Sequence, residues 1–355
     1  MNTIFKMNHY SVSLISRDES SSVKAILIFL IILGHNMVFT YLFEKYHVME
    51  FLYNFHIQSF FILPFLYGSK CITREKIVNT FIRLYYPFIL FTLISFIVYY
   101  VLYLNAKIEI ISIFRMLFTG DVNLIKHFCG VQIFWFLPVM FSLLIIRDLY
   151  YYSNIWIKVL LLILSCISLF LSLESMDYGY YYHIYNKINS FIPLGGFKAI
   201  AYLILGVLFR EIIEFRRFKD DFIVSLVLFL ILSIIYFFNV NGINNKIVTI
   251  ILKIIFPIDF MWMLWNLRSF LSKFNYLSKQ IGTQTFGMYV FHPYIGYICY
   301  FIIMKFFEID WIYALLVQLI MFYGSFWIAR KINNTHNLKK KLFPHNSSEF
   351  FSMFK

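Results

Sequence analysis

Charged residues are scarce in this chain of 355 residues, since Asp, Glu, Lys and Arg together make up only 14% of it. Soluble globular domains carry about 25% charged residues, so this scarcity excludes an ordinary soluble protein. Cysteine is also rare, with 4 residues and no Cys-x-x-Cys pair. This pattern provides neither a disulfide framework nor the spacing of a zinc site, and we expect no bound metal.

Apolar residues take the place of the missing charge. They make up 61% of the chain, which has 44 Phe, 27 Tyr and a mean hydropathy of +0.74. A membrane-spanning helix needs about 20 mainly apolar residues, and we expect spans at 23–43, 52–69, 84–104, 132–146, 156–173, 196–210, 221–239, 247–267, 283–304 and 310–329. The sequence therefore predicts an all-α polytopic integral membrane protein, with about ten transmembrane helices in one bundle. A cytoplasmic segment 1–22 precedes the domain 23–330, and a basic tail 331–355 follows it.

Lysine and arginine are divided unevenly between the two sides that these spans define. With a cytoplasmic N-terminus, 22 of the 31 basic residues fall on the cytoplasmic side and 7 in the outer loops. This bias predicts a multi-pass protein of the inner (plasma) membrane with both termini in the cytoplasm. The net charge of +13 then reflects this rule and contact with anionic membrane lipids. We expect no nucleic-acid partner, because no basic stretch is interleaved with aromatic residues on a polar surface.

An ionisable side chain lies deep in the first span. His35 follows Lys24 by eleven residues, which in a continuous helix is about three turns and puts both on one face. Ionisable groups inside a membrane cost free energy unless they are paired, so they tend to mark functional sites. A basic residue at the rim and a histidine about 17 Å deeper suit a charged reagent whose reactive end enters the bilayer.

Other polar groups at the spans have a structural interpretation beside the functional one. His56 in the second span and His292 in the ninth can simply bond neighbouring helices. Trp135, at the start of the fourth span, fits an interfacial aromatic belt, and Arg83, at the start of the third, fits the positive-inside bias. For these four residues the sequence by itself leaves both interpretations open.

Five short motifs, in order along the chain, resemble those of the membrane-bound acyltransferase-3 family, in its stand-alone fucose-4-O-acetyltransferase-like branch. They are Lys24-x10-His35, Phe55-His56 with Phe60-Phe61, Arg83-Leu84-Tyr85-Tyr86-Pro87, Trp135-Phe136-Leu137-Pro138, and Ile281-Gly282 with Gly287-Met288-Tyr289 and His292. The chain departs from the family pattern at Thr80, which replaces the first arginine of an Arg-x-x-Arg motif, and also at Ser21, Ala25 and Leu63-Pro64. The resemblance implies a bundle of about ten helices that moves acyl groups, usually acetyl from acetyl-CoA, onto cell-surface glycans.

The resemblance and the geometry of the first span together suggest a mechanism. Acetyl-CoA would be the acyl donor, with its phosphates bound by Lys24 and Arg83 at the cytoplasmic face. His35 would act as general base on a sugar hydroxyl, with an acyl-imidazole intermediate as the alternative.

The thioester oxyanion and the acceptor also need partners. An oxyanion requires a hydrogen-bond donor, and the candidates are Asn36, Trp135, Tyr289 and His292. The acceptor would be a glycan or a lipid-linked sugar of a capsule, exopolysaccharide or O-antigen. It would enter from outside, past His56 and the loop 105–131.

Two other classes of function stay open at this point. A transporter or flippase of a glycan or lipid-linked sugar fits the number of spans, and Lys253, Pro257 and Asp259 in the eighth span would suit it. Lys253 and Asp259 are not on one helix face, so we expect each to pair with another helix or to reach the interface. A membrane sensor or scaffold without catalysis is the third class, and the threonine at position 80 keeps it open.

Overall fold

The structure, a computed structural model, describes residues 12–69, 71–102, 109–131, 133–174, 180–216, 221–243 and 245–354. Residues 1–11 of the expected N-terminal segment and residues 103–108 near the expected acceptor entrance lie outside these ranges. The described chain is helical and contains no β-strand. Its α-helices are α1 (Arg17–Gly34), α2 (Met37–Phe43), α3 (Val48–Tyr53), α4 (His56–Ile62), α5 (Arg74–Leu102), α6 (Ile110–Thr119), α7 (Val122–Cys129), α8 (Phe136–Tyr152), α9 (Ile155–Glu174), α10 (Tyr180–Asn189), α11 (Gly196–Arg216), α12 (Phe222–Phe238), α13 (Lys246–Ser272), α14 (Gly282–Phe306), α15 (Trp311–Asn334), α16 (His336–Leu342) and α17 (Ser347–Phe351).

Seven helical segments of the described residues are long and apolar enough to cross a membrane. They are Arg74–Val101, Ile133–Tyr152, Ile155–Leu173, Phe222–Ile243, Lys246–Ser272, Tyr276–Phe306 and Trp311–Asn334. An eighth crossing results if α1 and Met37–Tyr46, which meet at a bend of 66°, are taken together. Large apolar side chains are exposed along these segments, such as Trp156 at 78% and Ile223 at 74%, as expected where lipid replaces water. The prediction of an all-α polytopic membrane protein is confirmed.

Two of the ten expected spans do not form long apolar helices. The second, 52–69, is divided among α3, α4 and a 3-10 turn at Leu63–Leu66. Helix α3 ends at Tyr53 with Asn54 as its C-cap, and Pro64 lies at the start of the 3-10 turn. The sixth, 196–210, lies within α11, which has 21 residues but includes Lys198, Arg210 and Glu214. The structure thus supports seven or eight crossings, since turn residues and charges interrupt segments that are apolar on average.

The chain divides into two compact units. The first unit comprises Met1–Ser16, Phe61–Phe215 and Lys340–Lys355, and the second comprises Arg17–Phe60 and Arg216–Lys339. In the second unit α1 packs closely on the start of α14, since a Cβ atom on Gly282 would lie only 2.2 Å from the carbonyl oxygen of Ser21. Tilted and edge-on contacts between phenylalanine rings join α12 and α13 to the chain around α3. The rings are those of Phe51, Phe55, Phe229, Phe256 and Phe260.

Two buried arginines hold the turn that follows α4 in the first unit. Arg147 of α8 donates to the carbonyl oxygen of Pro64 over 2.6 Å. Arg210 of α11 donates to the carbonyl oxygens of Phe65 and Tyr67 over 2.8 and 3.1 Å. These bonds satisfy backbone carbonyls that lie outside a regular helix, and such carbonyls would be costly at membrane depth without a partner.

The C-terminal segment of the chain packs on α5 of the first unit. Phe343 is 7% exposed and its ring lies 5.8 Å from that of Phe91. The Tyr86 hydroxyl donates to the carbonyl oxygen of Lys341 over 2.9 Å, and the Tyr86 ring lies 5.0 Å from Phe350. The expected basic tail 331–355 therefore packs against the long apolar helix α5 at Lys341, Phe343 and Phe350.

Candidate active site

His35 lies at a break in the helix, not within a continuous span. Helix α1 ends at Gly34, α2 begins at Met37, and the two axes meet at 66°. The amide of His35 still bonds the carbonyl oxygen of Ile31, at 3.1 Å, so the turn before it is helical. Helix α1 is therefore continuous from Lys24 to Gly34, as the shared face of Lys24 and His35 requires. The break that follows Gly34 sets the position of His35.

Asn36 explains why the new helix begins where it does. Its side-chain oxygen accepts from the amide of Phe39 over 3.1 Å, which is the bond of a helix N-cap. Its side-chain nitrogen donates to the carbonyl oxygen of Ala314 over 2.8 Å and faces Gln318 Oε1 at 3.4 Å. The side-chain nitrogen of Asn36 thus donates to two groups of the protein, which leaves it no free donor for an oxyanion.

Aromatic and imidazole rings of the second unit surround His35. The His292 ring, on α14, lies 5.4 Å from the His35 ring between centroids, with the planes inclined by 29°. The hydroxyl of Tyr53 lies 3.5 Å from His35 Nδ1 and donates to the carbonyl oxygen of Gly34 over 3.2 Å. The Tyr53 ring is in turn 4.9 Å from that of His56. Three histidines from three separate segments therefore meet at the end of α1.

Backbone carbonyls determine the tautomers of two of these histidines. Nδ1 of His56 lies 2.5 Å from the carbonyl oxygen of Leu52, and Nδ1 of His292 lies 3.0 Å from that of Met288. Because a carbonyl only accepts, each Nδ1 carries the proton and each neutral ring has its lone pair on Nε2.

These two Nε2 atoms are buried and accept no hydrogen bond from the described residues. His56 and His292 are both 0% exposed, and neither Nε2 atom has a hydrogen-bond partner among the residues that the structure describes. Such nitrogens can accept a proton or a hydrogen bond from a hydroxyl. Neutral His292 cannot donate from Nε2, so it does not suit the oxyanion role for which the sequence made it a candidate.

Gly34 allows the close approach between the end of α1 and His56. A Cβ atom at position 34 would lie 3.2 Å from His56 Nε2, which is tighter than an ordinary contact. His35 itself is only half-buried. Of the three histidines it is the one that is not fully buried.

Lys24 and Tyr289 also belong to the second unit. Lys24 is half-buried on α1, ten residues before Gly34, or about 15 Å along the helix axis. Tyr289 is buried on α14, and its ring lies 6.0 Å from that of His292.

Arg83 and Trp135 belong to the first unit. Arg83 is exposed and lies nine residues after the start of α5, which begins earlier than the expected span 84–104. Trp135 ends a 3-10 turn, Ile133–Trp135, directly before α8, as its position at the start of the fourth span predicts. The ammonium of Lys198 lies 3.4 Å from the centre of the Trp135 ring, a cation–π contact that occupies one ring face.

The structure adds two residues that sequence reasoning missed or misjudged. Tyr53 was not singled out, because nothing distinguishes it among 27 tyrosines in the sequence. Asp259 is expected to pair with another helix or to reach the interface, yet it is 2% exposed and neither carboxylate oxygen has a hydrogen-bond partner among the described residues. Across the same described ranges, no group of three or more His, Cys, Asp and Glu side chains is arranged to hold a metal ion.

Comparison with known proteins gives one match. Residues 20–330 fit the family model Acyl_transf_3, which is described as an acyltransferase domain. That region is well over half of the chain and includes both Lys24 and the three histidines. No curated protein and no solved structure matches the chain.

Proposed function

The chain belongs to the acyltransferase-3 family, and from that premise we propose that it transfers an acetyl group from acetyl-CoA to a hydroxyl of a cell-surface glycan. Family membership and the seven or eight apolar helices make it a multi-pass membrane acyltransferase. The acetyl donor, the glycan acceptor and the histidine base are the parts that the proposal adds.

The group of three histidines is the observation that carries this proposal. Transfer from a thioester to an alcohol needs a base for the hydroxyl proton. The hydroxyl oxygen bonds to the thioester carbonyl carbon, the carbon–sulfur bond breaks, and the proton held by the histidine passes to the departing thiolate. An imidazole is suited to both proton transfers near neutral pH.

His35 is the proposed general base because of its exposure relative to its neighbours. His56 and His292 are 0% exposed, whereas His35 is half-buried and can meet two substrates. The Nε2 lone pairs of His56 and His292 can accept from the acceptor hydroxyl or from protonated His35. Of the four candidates for the oxyanion donor, Tyr289, which lies in the same unit as His35, retains that role in the proposal.

The proposed donor site and orientation follow from charge. Lys24 would bind phosphate of acetyl-CoA at the cytoplasmic face, so that the pantetheine arm extends along α1 toward His35, about 17 Å away. Arg83, which the sequence also names as a phosphate ligand, belongs to the first unit, and its role stays a prediction. The protein would lie in the inner membrane among anionic lipids with both termini in the cytoplasm, and a glycan or lipid-linked sugar would approach from the outer side.

Mass spectrometry of surface glycans tests the function directly. Glycans from cells with and without the protein should be the same apart from acetyl groups, each adding an acetyl mass when the protein is present. Purified protein in nanodiscs, given acetyl-CoA labelled in the acetyl group, should transfer the label to glycan from the deficient cells. If cells without the protein have less surface glycan, and the glycan that remains is acetylated to the same extent, the result would contradict the proposal and indicate a transporter.

A further inference from the structure

A group of polar side chains lies in the first unit where α8 and α11 begin. The ammonium of Lys198, in the first turn of α11, stands over the Trp135 ring at 3.4 Å from its centre. Tyr202 follows Lys198 by four residues, so the two side chains share one face of α11. The Phe61 ring joins them, since its centre lies 4.3 Å from that of Tyr202 and 6.0 Å from that of Trp135. Trp135, Lys198 and Tyr202 therefore form one cluster.

Asp121 lies at the same end of α8. Gly120 packs on Pro138, three residues after Trp135, so closely that a Cβ atom at position 120 would lie 2.5 Å from Pro138 Cγ. Asp121 Oδ1 accepts from two amides of the first turn of α7 over 2.8 and 3.2 Å. The N-terminus of that helix offsets the negative charge of the carboxylate. Asp121 attracts Lys198 electrostatically, but among the described residues Lys198 forms no ion pair with an acidic side chain.

The polar groups of this cluster do not satisfy one another. In the part of the chain that the structure describes, the ammonium of Lys198, the indole N–H of Trp135 and the hydroxyl of Tyr202 make no hydrogen bond. Asp121 Oδ2 has no partner there either, since only Oδ1 caps α7. Tyr202 is 8% exposed and Asp121 is 4% exposed. Buried polar groups without a partner lower stability, so four of them at one place indicate a polar ligand.

The chemistry of the unsatisfied groups limits what the ligand can be. Lys198, Trp135 and Tyr202 can all donate hydrogen bonds, and the charge of Lys198 favours an anion. Asp121 Oδ2 can only accept, which suits a hydroxyl of the same ligand. The aromatic rings present apolar faces beside these polar groups. A carboxylate and hydroxyls on a compact ring are the features of an acidic sugar.

We propose that Trp135, Lys198, Tyr202 and Asp121 bind a sugar unit of the acceptor glycan, and that this unit carries a carboxylate, which Lys198 recognises. The inference rests on the proposed function, which names a glycan but neither its charge nor a residue that selects it. The predicted topology agrees, because the fourth and sixth expected spans, where Trp135 and Lys198 lie, both begin on the outer side. Glycan approaches from that side.

Sugars that differ only in a carboxylate test the inference. Purified protein in nanodiscs of zwitterionic lipid, without acetyl-CoA, is titrated with the methyl glycosides of glucuronic, galacturonic and mannuronic acid. Each is compared with the methyl glycoside of the matching neutral sugar, and binding is followed by saturation-transfer NMR. The wild-type protein should bind at least one acidic glycoside about tenfold or more tightly than its neutral counterpart, as expected for one charged contact.

Substitutions in α11 separate recognition of the carboxylate from a structural role. Lys198→Gln should weaken binding of the acidic glycoside about tenfold or more and leave the neutral one unchanged, whereas Lys198→Arg should keep the preference. Tyr202→Phe should weaken both sugars of a pair by a similar factor. Neither Lys198→Gln nor Tyr202→Phe should lower the melting temperature, because the groups removed bond nothing in the described protein. Lys187→Gln, at an exposed lysine of α10 in the same unit, is the matched control and should bind both sugars like the wild type.

Several outcomes would overturn the inference. Wild-type protein that binds no acidic glycoside, or binds both members of every pair equally, does not select a carboxylate. Lys198→Gln that weakens both members equally, or neither, would show that Lys198 is not the selecting residue. If Lys198→Gln weakens binding of acetyl-CoA and not of the acidic glycoside, the cluster belongs to the acyl donor.

Failure of this inference is distinguishable from failure of the proposed function, because the sugar titrations contain no acetyl-CoA. Transfer of labelled acetyl to glycan by a protein that shows no preference for acidic sugars refutes this inference alone. A preference for an acidic sugar without acetyl transfer refutes the proposed function alone.

Discussion

At the scale of single residues, His35 is distinguished by what surrounds it. Two neighbouring imidazoles are held by backbone carbonyls with their lone pairs on Nε2. Both the neutral and the imidazolium form of His35 are compatible with these neighbours, since each Nε2 atom can accept a hydrogen bond. Protonation of His292 in addition to His35 would be strongly disfavoured, because the two rings are only 5.4 Å apart. The three rings are therefore suited to handling one proton at a time.

Substitution of His35 separates catalysis from packing. A base contributes about 10²–10⁴-fold to rate, so His35→Ala should reduce glycan acetylation at least that much while membrane levels of the protein stay normal. His35→Gln retains hydrogen bonding without proton transfer and should be equally inactive. Acetylation is measured with labelled acetyl-CoA, and His336→Gln, at an exposed histidine, serves as control. An active His35→Gln enzyme would falsify the general-base role.

Lys24 should affect the donor more than the chemical step. Lys24→Gln removes a charged phosphate ligand, which costs about 1.5–3 kcal/mol, so KM for acetyl-CoA should rise at least tenfold with kcat little changed. Arg17→Gln is the matched control, because Arg17 is exposed, lies on the same helix and precedes Lys24 by two turns. Steady-state kinetics with varied acetyl-CoA measure both constants, and a Lys24 variant with wild-type KM would remove this residue from the donor site.

At the scale of secondary-structure elements, the break between α1 and α2 places the site. A glycine that ends one helix and an asparagine that caps the next are ordinary boundary signals. Within an apolar run they are easy to overlook, since hydropathy favours one uninterrupted span. The break turns the chain by 66°, and His35 lies at the turn.

The close contact at Gly34 gives a prediction about this break. In Gly34→Ala, the new methyl group would lie 3.2 Å from His56 Nε2 and would push the ring aside by a few tenths of an ångström. Small displacements in an active site are costly, so we expect kcat to fall about tenfold or more with little change in thermal stability. Gly242→Ala, where the new methyl meets nothing within 4 Å, should have wild-type kcat. Equal kcat values for the two variants would show that His56 needs no exact position.

The C-terminal segment offers a test of packing in the first unit. Phe343→Ala removes a ring that is 7% exposed and contacts Phe91, and such truncations cost about 3–5 kcal/mol. The variant should unfold at a lower temperature in detergent, followed by tryptophan fluorescence. Phe351→Ala, at a ring that is 59% exposed, should change the melting temperature little. Equal melting temperatures for both variants would mean that the tail is not anchored through Phe343.

At the scale of the whole molecule, the number of crossings bears on orientation. An even number returns the C-terminus to the side of the N-terminus, and an odd number does not. The structure supports seven or eight crossings among the described residues, depending on whether the bent pair at α1 is counted. The distribution of lysine and arginine favours two cytoplasmic termini.

Reporter fusions decide this point. Green fluorescent protein fused after Lys355 should fluoresce, since it folds in the cytoplasm, and alkaline phosphatase at the same place should be inactive. Alkaline phosphatase fused after Asn241, in an expected outer loop, should be active and serves as the positive control. An active phosphatase at the C-terminus would contradict the predicted topology and the cytoplasmic approach of the donor.

Much about this protein follows from its sequence, for a physical reason. A chain with so little charge and with apolar runs of about twenty residues fits a membrane, and a continuous run of that length spans lipid as a helix, in which every backbone group bonds within the segment. Composition and the length of the apolar runs therefore indicate the all-α membrane class. The family match over residues 20–330 confirms the family that the sequence motifs indicate. Ionisable residues at membrane depth, such as His35 and His292, are conspicuous because burying them is expensive.

The tertiary structure alone decided which of these polar groups lie together. His292 is adjacent to His35, and Lys76 is bonded to Asp148, although the members of each pair are distant in sequence. Hydropathy cannot reveal such contacts, because it reports how each segment interacts with lipid and not which helices pack on one another. The same limit explains the broken first span and the commitment of Asn36 to a helix cap. Local turn chemistry and packing between helices determine the break and the cap. The mean hydropathy of a segment of twenty residues contains information on neither of these causes.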